Sequence, residues 1–207
     1  GTNPTGFGGN LNNNSTTVYG NFKASTSGMT ASAGTAALTF AATSGTKTID
    51  AAGVVFDRPF TFSGVGGTWQ LQSNLIAGPS PAGVDSVRTT TLTAGTLDVN
   101  GYTLTTGLFS SANSNTRVLA FGTGKMVLTG TNATVYTTTT GTGLTMTGTR
   151  TIELTGVGVG GETRTISGAQ TAAGGAAANA ANFYFKAGAD IISLGTANRV
   201  YGTLDFT

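Results

Sequence analysis

The residues with the greatest chemical potential in this chain are three carboxylates at matching places in short apolar runs. Asp98 and Asp205 each follow a Thr-Leu pair, and Glu153 lies between Ile152 and Leu154. Alternating apolar and polar residues are typical of strands with one buried face, so all three acids are expected to point outward. Outward acids could serve as the acid and base of glycoside hydrolysis if the fold brought them together. A solvated strand face is the simpler interpretation, because the sequence contains no cluster of acids.

Two absences from the composition exclude most other catalytic chemistry. The 207 residues include no Cys and no His. Disulfides, thiolate nucleophiles, His-based triads and metal sites built from Cys or His are therefore excluded. The acids also lack the spacing of known calcium loops. We predict no catalytic residue, no cofactor-binding residue, no metal ligand and no cofactor, and we expect that the chain is not an enzyme.

A few other residues could form a binding surface. Exposed aromatic side chains could stack on sugars, and the candidates are Trp69, Tyr102, Tyr136, Tyr184 and Tyr201. Trp69 alternates with an apolar neighbour two positions later, which favours burial instead.

Threonine and glycine runs give two weaker signals. Threonine rows at 89–91 and 137–140 resemble the hydroxyl arrays of ice-binding solenoids. Their spacing along the sequence is irregular, and strand propensity explains them better. The glycine-rich run at 157–161 has no following Lys-Ser or Lys-Thr and no strand-then-helix context, so it is not predicted to bind phosphate.

The composition favours an all-β chain of many short strands. Gly accounts for 33 residues, Thr for 42, and charged residues for only 9%. Thr fits a pleated strand, and Gly supplies the positive φ angles of tight turns. The net charge is +2, with charges scattered singly, so no nucleic-acid partner is expected. No apolar run is long enough for a membrane-spanning helix.

The stretch from 88 to 130 shows the organising pattern, because short alternating runs are separated there by Gly, Asn and Ser. The threonines, Asp98 and Lys125 are expected outward, and the inward positions are Leu92, Leu97, Val99, Leu104, Met126 and Leu128. Gly95, Gly124 and Gly148 precede similar runs at comparable intervals along the chain. Such intervals are typical of one coil of a solenoid. We predict a parallel β-solenoid (β-helix), with a β-sandwich as the alternative.

Domain organisation follows from where the strand pattern becomes regular. Residues 1–47 are rich in Gly, Asn and Ser, and are expected to form an irregular cap or a segment that contacts another subunit. Residues 48–207 are expected to form the β-solenoid domain. The sequence begins without Met and stops inside a strand-like run, so we expect a piece of a longer chain.

Three segments carry a resemblance to a known group of proteins: GVGGTWQLQSNL, RTTTLTAGTLDVNGYTLTTG and TRVLAFGTGKMVLTG. Over about residues 48–155 the chain resembles β-solenoid proteins of tailed bacteriophages, notably marine and cyanobacterial ones, which have relatives among secreted bacterial adhesins. The resemblance implies a virion-associated fibre or surface structural role. It transfers no site residues, because the shared motifs are compositional.

These observations lead to one functional expectation and two alternatives. We expect a non-enzymatic extracellular or virion structural or attachment module, a stiff spacer or fibre component that forms a homo-oligomer or binds other surface proteins. The first alternative is a carbohydrate-binding or carbohydrate-degrading domain of a tailspike or adhesin, with cell-surface carbohydrate as its partner. The second is a surface-layer or filament subunit.

Overall fold

The structure is a computed structural model, and it describes residues 11, 13–25, 34–78, 88–131, 134–138, 143–156, 161, 163–168, 180–186, 191–194 and 200–207. In these ranges the chain forms short β-strands and no helix, and therefore no helix that could span a membrane. The strands are β1 (Thr16–Val18), β2 (Phe22–Lys23), β3 (Leu38–Phe40), β4 (Thr46–Asp50), β5 (Val55–Phe56), β6 (Phe60–Phe62), β7 (Thr68–Leu71), β8 (Leu75–Ala77), β9 (Thr89–Leu92), β10 (Gly95–Asp98), β11 (Thr103–Thr106), β12 (Leu108–Ser110), β13 (Arg117–Ala120), β14 (Lys125–Leu128), β15 (Thr134–Thr137), β16 (Leu144–Thr147), β17 (Thr151–Leu154), β18 (Thr163–Ser167), β19 (Asn182–Phe185), β20 (Ile191–Ser193) and β21 (Thr203–Asp205).

The strands form three parallel sheets that together make a solenoid. The eight-stranded sheet has the order β1-β3-β6-β9-β12-β15-β18-β20, the six-stranded sheet β16-β13-β10-β7-β4-β2, and the seven-stranded sheet β21-β19-β17-β14-β11-β8-β5. From β3 to β17, successive strands enter the three sheets in turn, which gives about five complete turns. The described coils at either end lack a strand in one sheet. The predicted parallel β-solenoid is confirmed, and the β-sandwich alternative is wrong.

Alternation within each strand explains why the coils stack. In β7, for example, Trp69 and Leu71 are fully buried, while Thr68 and Gln70 are half-buried. The ring of Phe40 lies 5.0 Å from that of Phe62 and 4.9 Å from that of Trp69, so the aromatic core runs from coil to coil. Each such side chain contributes roughly 1.5–3 kcal/mol by leaving water. A single coil cannot bury this face alone, so stacking is obligatory.

The inward positions predicted in the stretch from 88 to 130 are confirmed, but the outward set needs a correction for its threonines. Thr90 and Thr106 are fully buried, and their hydroxyls hydrogen-bond each other at 3.1 Å. Asp98 and Lys125 are half-buried on the outside. The inward set is 0% exposed at every position, namely Leu92, Leu97, Val99, Leu104, Met126 and Leu128.

The glycine repeat needs a correction. Gly95 begins β10 in the six-stranded sheet, whereas Gly124 and Gly148 lie ahead of β14 and β17 in the seven-stranded sheet. Only the step from Gly124 to Gly148 therefore corresponds to one coil. The sequence pattern could not separate these cases, because a glycine is needed at corners between different pairs of sheets.

The solenoid strands begin earlier than the sequence suggested. The boundary expected between residues 47 and 48 falls inside β4, and β1 to β3 already belong to the eight-stranded and six-stranded sheets. Residues 1–10, 12 and 26–33 of the expected cap lie outside the described residues.

Coil length varies, yet neighbouring strands pair without a shift in register except at β15 and β18, where the register shifts between Thr134 and Tyr136. Thr61 aligns with Thr91, and Thr91 aligns in turn with Ser110. The first of these steps is much longer along the chain than the second, and the connections between sheets absorb the difference. Regular positions in space therefore arise from irregular spacing in sequence.

Candidate functional site

The three acids do not form one site. Asp98 lies on β10 in the six-stranded sheet, whereas Glu153 and Asp205 lie on β17 and β21 in the seven-stranded sheet. Asp98 instead fixes a turn, since its carboxylate accepts from Asn100 N at 2.9 Å and from Gln70 Nε2 at 2.9 Å. The outward orientation predicted for the acids holds, but the fold separates Asp98 from the other two.

Glu153 and Asp205 share one outward column, but Tyr184 lies between them in register. Two strand spacings amount to about 10 Å. Glu153 accepts from Lys125 Nζ at 2.8 Å. Asp205 accepts from Thr207 Oγ1 at 2.6 Å and from Thr207 N at 3.0 Å, and these two bonds lower the pKa of Asp205. A glycosidase acid needs the opposite shift, so Asp205 is not suited to protonating a leaving group.

The five aromatic candidates do not form a sugar-stacking platform. Trp69 is buried, as predicted, and Tyr136 is also buried, with a pKa that desolvation raises well above its ordinary value. Tyr201 is half-buried and donates to Leu194 O at 3.1 Å, and the ring of Tyr184 has Lys186 Nζ 5.6 Å from its centroid. Tyr102 is partly exposed beside a turn. These side chains belong to different parts of the solenoid surface and core.

Three arginines are buried, which the sequence did not indicate. Arg58, Arg117 and Arg164 are each 1% exposed. Arg117 donates from Nε to Ser111 Oγ at 2.5 Å and from its other nitrogens to the carbonyls of Ser111 and Asn115 at 2.7 Å. Desolvation lowers the pKa of Arg58 and of Arg117. Because these guanidinium groups satisfy backbone carbonyls at the corners, they are structural rather than catalytic.

One open hollow lies at a corner beside the six-stranded sheet. Its volume is about 270 Å³, and its walls include Val65, Thr96, Arg117 and Val118. Most of the wall is apolar, and Val65 is 70% exposed at its rim. The hollow brings together no acid and no group suited to acid–base chemistry.

The threonines form the most regular surface feature of the molecule. A single outward column crosses seven strands of the eight-stranded sheet with a hydroxyl at every step, and its members are Thr17, Thr39, Thr61, Thr91, Ser110, Thr137 and Ser167. We call this set the hydroxyl column. Thr17 is exposed and the other members are half-buried.

The strands that carry the hydroxyl column have no outward charged residue, and the Arg88–Asp57 ion pair lies just ahead of β9 and β6. Arg164 is the one charged residue in the eight strands of this sheet, and it points inward. Every aromatic ring of these strands is also buried, namely Phe40, Phe60, Phe62, Phe109 and Tyr136. The six-stranded sheet differs, since its comparable column runs from Thr46 through Thr68 and Thr96 to Val118 and Thr145, beside Asp98.

The threonine rows seen in the sequence contribute only part of the hydroxyl column. Thr89 and Thr91 point outward while Thr90 is buried, and only Thr91 belongs to the hydroxyl column. Thr137 belongs to it too, and 139–140 lie outside the described residues. The sequence feature that marks a member of the hydroxyl column is a hydroxyl residue between two buried residues, as in Leu38-Thr39-Phe40.

Two other candidates give no site. Among the residues that the structure describes, no group of three or more acids could hold a metal ion. Of the glycine-rich run at 157–161, only Gly161 is described.

Comparisons with known proteins give no match: no family model, no curated protein and no solved structure is similar to this chain. The resemblance to bacteriophage β-solenoid proteins therefore stays a prediction from the residues. Function has to be argued from the geometry of the solenoid.

Proposed function

We propose that this chain is a structural or attachment module of an extracellular or virion surface, a stiff component that assembles end to end with further copies of itself. The virion setting depends on the sequence resemblance alone. The assembly depends on one observation: the apolar surface of the last described coil requires a further coil to cover it, and in this proposal a second copy of the chain supplies that coil.

The last described coil leaves apolar side chains exposed. Interior strands bury alternate residues completely, whereas β20 and β21 contain no fully buried residue. Phe206 is 61% exposed although it stacks on Phe185 with centroids 4.4 Å apart, and Leu204 is only half-buried although it is in register with the fully buried Phe183. A further coil on this end would bury these groups just as each interior coil buries its neighbour.

The backbone at this end is also available for pairing. Within the described residues, β20 and β21 are edge strands of their sheets, and β1 is the opposite edge of the sheet that contains β20. Open edges present unpaired N–H and C=O groups to a partner strand. Because β1 and β20 are opposite edges of one parallel sheet, contact between them is head to tail and continues as a filament.

Sedimentation velocity over a range of protein concentrations tests this proposal. The wild-type chain should form species larger than the monomer as concentration rises. Leu204→Lys together with Phe206→Lys should keep the chain monomeric, because each introduces a charge at the joint. Val65→Lys is the matched control, since Val65 is similarly exposed on the side of the solenoid. A wild-type chain that stays monomeric throughout the range would refute the proposal.

The other functional candidates differ in their support. A surface-layer or filament subunit would use the same end-to-end contact, and differs in setting only. Carbohydrate hydrolysis gains no support, because Asp98 is on another sheet from Glu153 and Asp205.

A further inference from the structure

We propose that the outer face of the eight-stranded sheet binds ice, with the hydroxyl column as its contact surface. This proposal is independent of end-to-end assembly. It depends on the periodicity, the rigidity and the neutrality of that face.

The periodicity of the column is set by the backbone. Adjacent parallel strands lie about 4.8 Å apart. In tetrahedral ice each O–H···O bond spans about 2.75 Å, which places second-neighbour oxygens about 4.5 Å apart. Successive hydroxyls of the column therefore lie at nearly the separation of oxygens that share one water neighbour in the lattice. A water molecule hydrogen-bonded to two adjacent hydroxyls would occupy such a lattice position.

The column is rigid as well as regular. Five of its seven members are threonines, and a β-branched side chain on a strand has a restricted χ1 angle. In-register pairing repeats the same backbone position from Thr17 to Ser167. Each threonine also places a methyl group beside its hydroxyl. The column therefore offers a row of donors and acceptors next to a row of apolar groups, and ordered water can form against both.

The neutrality of this face selects ice over other occupants. Charged side chains hold strongly oriented hydration shells, and the outward residues of these eight strands include none. A sugar-binding face would use aromatic platforms, and a protein interface is typically anchored by aromatic residues or arginine. Every aromatic ring of these strands, and Arg164, points inward. The outward residues of these strands are hydroxyl-bearing side chains together with Leu108 and Ile191, and ordered water can form against such hydroxyl and apolar groups.

The test measures thermal hysteresis and inhibition of ice recrystallisation by the intact chain. The wild-type chain should show both activities. Thr61→Lys combined with Thr91→Lys should abolish them, because two charges then interrupt the centre of the column. Thr61→Val keeps the shape and removes one hydroxyl, and should weaken both activities. Thr68→Lys, on a half-buried outward threonine of the six-stranded sheet, should leave them unchanged.

Circular dichroism and thermal unfolding should verify that each variant is folded. Absence of both activities in the folded wild-type chain would overturn the proposal, and so would equal loss in Thr68→Lys. Binding to insoluble cellulose or chitin that is lost in the Thr61→Lys, Thr91→Lys variant, without any ice activity, would reassign the face to a polysaccharide. Self-association that is lost in the same variant, without ice activity, would reassign it to a second copy of the chain.

Discussion

At the scale of single residues, this solenoid separates inward positions from outward positions within each strand. Leu97 is fully buried while its neighbours on β10, Thr96 and Asp98, are half-buried. The same alternation places Ile152 inward and Glu153 outward on β17. Stability therefore depends on the inward set, and surface chemistry depends on the outward set.

Truncation of an inward residue should be costly. Leu97→Ala and Ile152→Ala are each expected to lower the free energy of unfolding by about 2–5 kcal/mol, because they leave a cavity in a closed stack. Val127→Ala is the control, since Val127 is a half-buried outward residue on β14 and should change stability by about 0.5 kcal/mol or less. Urea unfolding followed by circular dichroism measures all three. Near-neutral values for the two inward variants would reverse the assignment of faces.

Residue types predicted the inward set well, for a physical reason. Alternation requires only local information, so Leu92, Met126 and Leu128 could be placed inward from the sequence. Buried arginines could not be foreseen, because their carbonyl partners lie in other segments. Arg58 illustrates this: it donates from Nε to Ala36 O at 2.9 Å and also to the carbonyl of Asn14.

At the scale of elements, the corners between sheets decide where each strand begins. Gly95 joins β9 to β10 with a φ of +73°, and a Cβ atom there would lie 2.1 Å from Gly64 O on the preceding coil. Both the backbone conformation and the close approach therefore require glycine. Corners of this kind allow connections of different length to return to the same register.

The two requirements at Gly95 can be measured separately. Gly45 has a φ of +63° but nothing within 4 Å of the added Cβ, so Gly45→Ala should show the backbone strain alone, about 1 kcal/mol. Gly95→Ala adds the clash with Gly64 O and should cost clearly more. Urea unfolding of the two variants compares them directly. Equal losses would mean that the coils can separate at this corner without a penalty.

Corners also limited what the sequence could predict. Gly95, Gly124 and Gly148 looked like one repeat, yet they belong to corners leading to two different sheets. The hydroxyl column was hidden for the same reason, since the step along the chain from Thr61 to Thr91 is much longer than the next one. Because the connections between sheets differ in length, the repeat is irregular along the sequence, although the strands themselves are regularly spaced in the structure.

At the scale of the whole molecule, the solenoid has three faces and two ends with different properties. The strands of the eight-stranded sheet have no outward charged residue, while those of the other two sheets carry charges such as Asp98 and the Lys125–Glu153 pair. The coil that contains β20 and β21 exposes Ile191 and Phe206. Neither property could be derived from composition, because each depends on which strands become neighbours and which become edges.

Electron microscopy of the purified wild-type chain tests the central claim, that this solenoid is a stiff unit which stacks end to end. Eight stacked strands span only about 34 Å along the axis. We therefore expect straight, unbranched rods much longer than one chain as concentration rises, with the strand spacing repeated along the rod axis. Isolated particles no longer than a single solenoid at every concentration would show that the solenoid does not stack end to end.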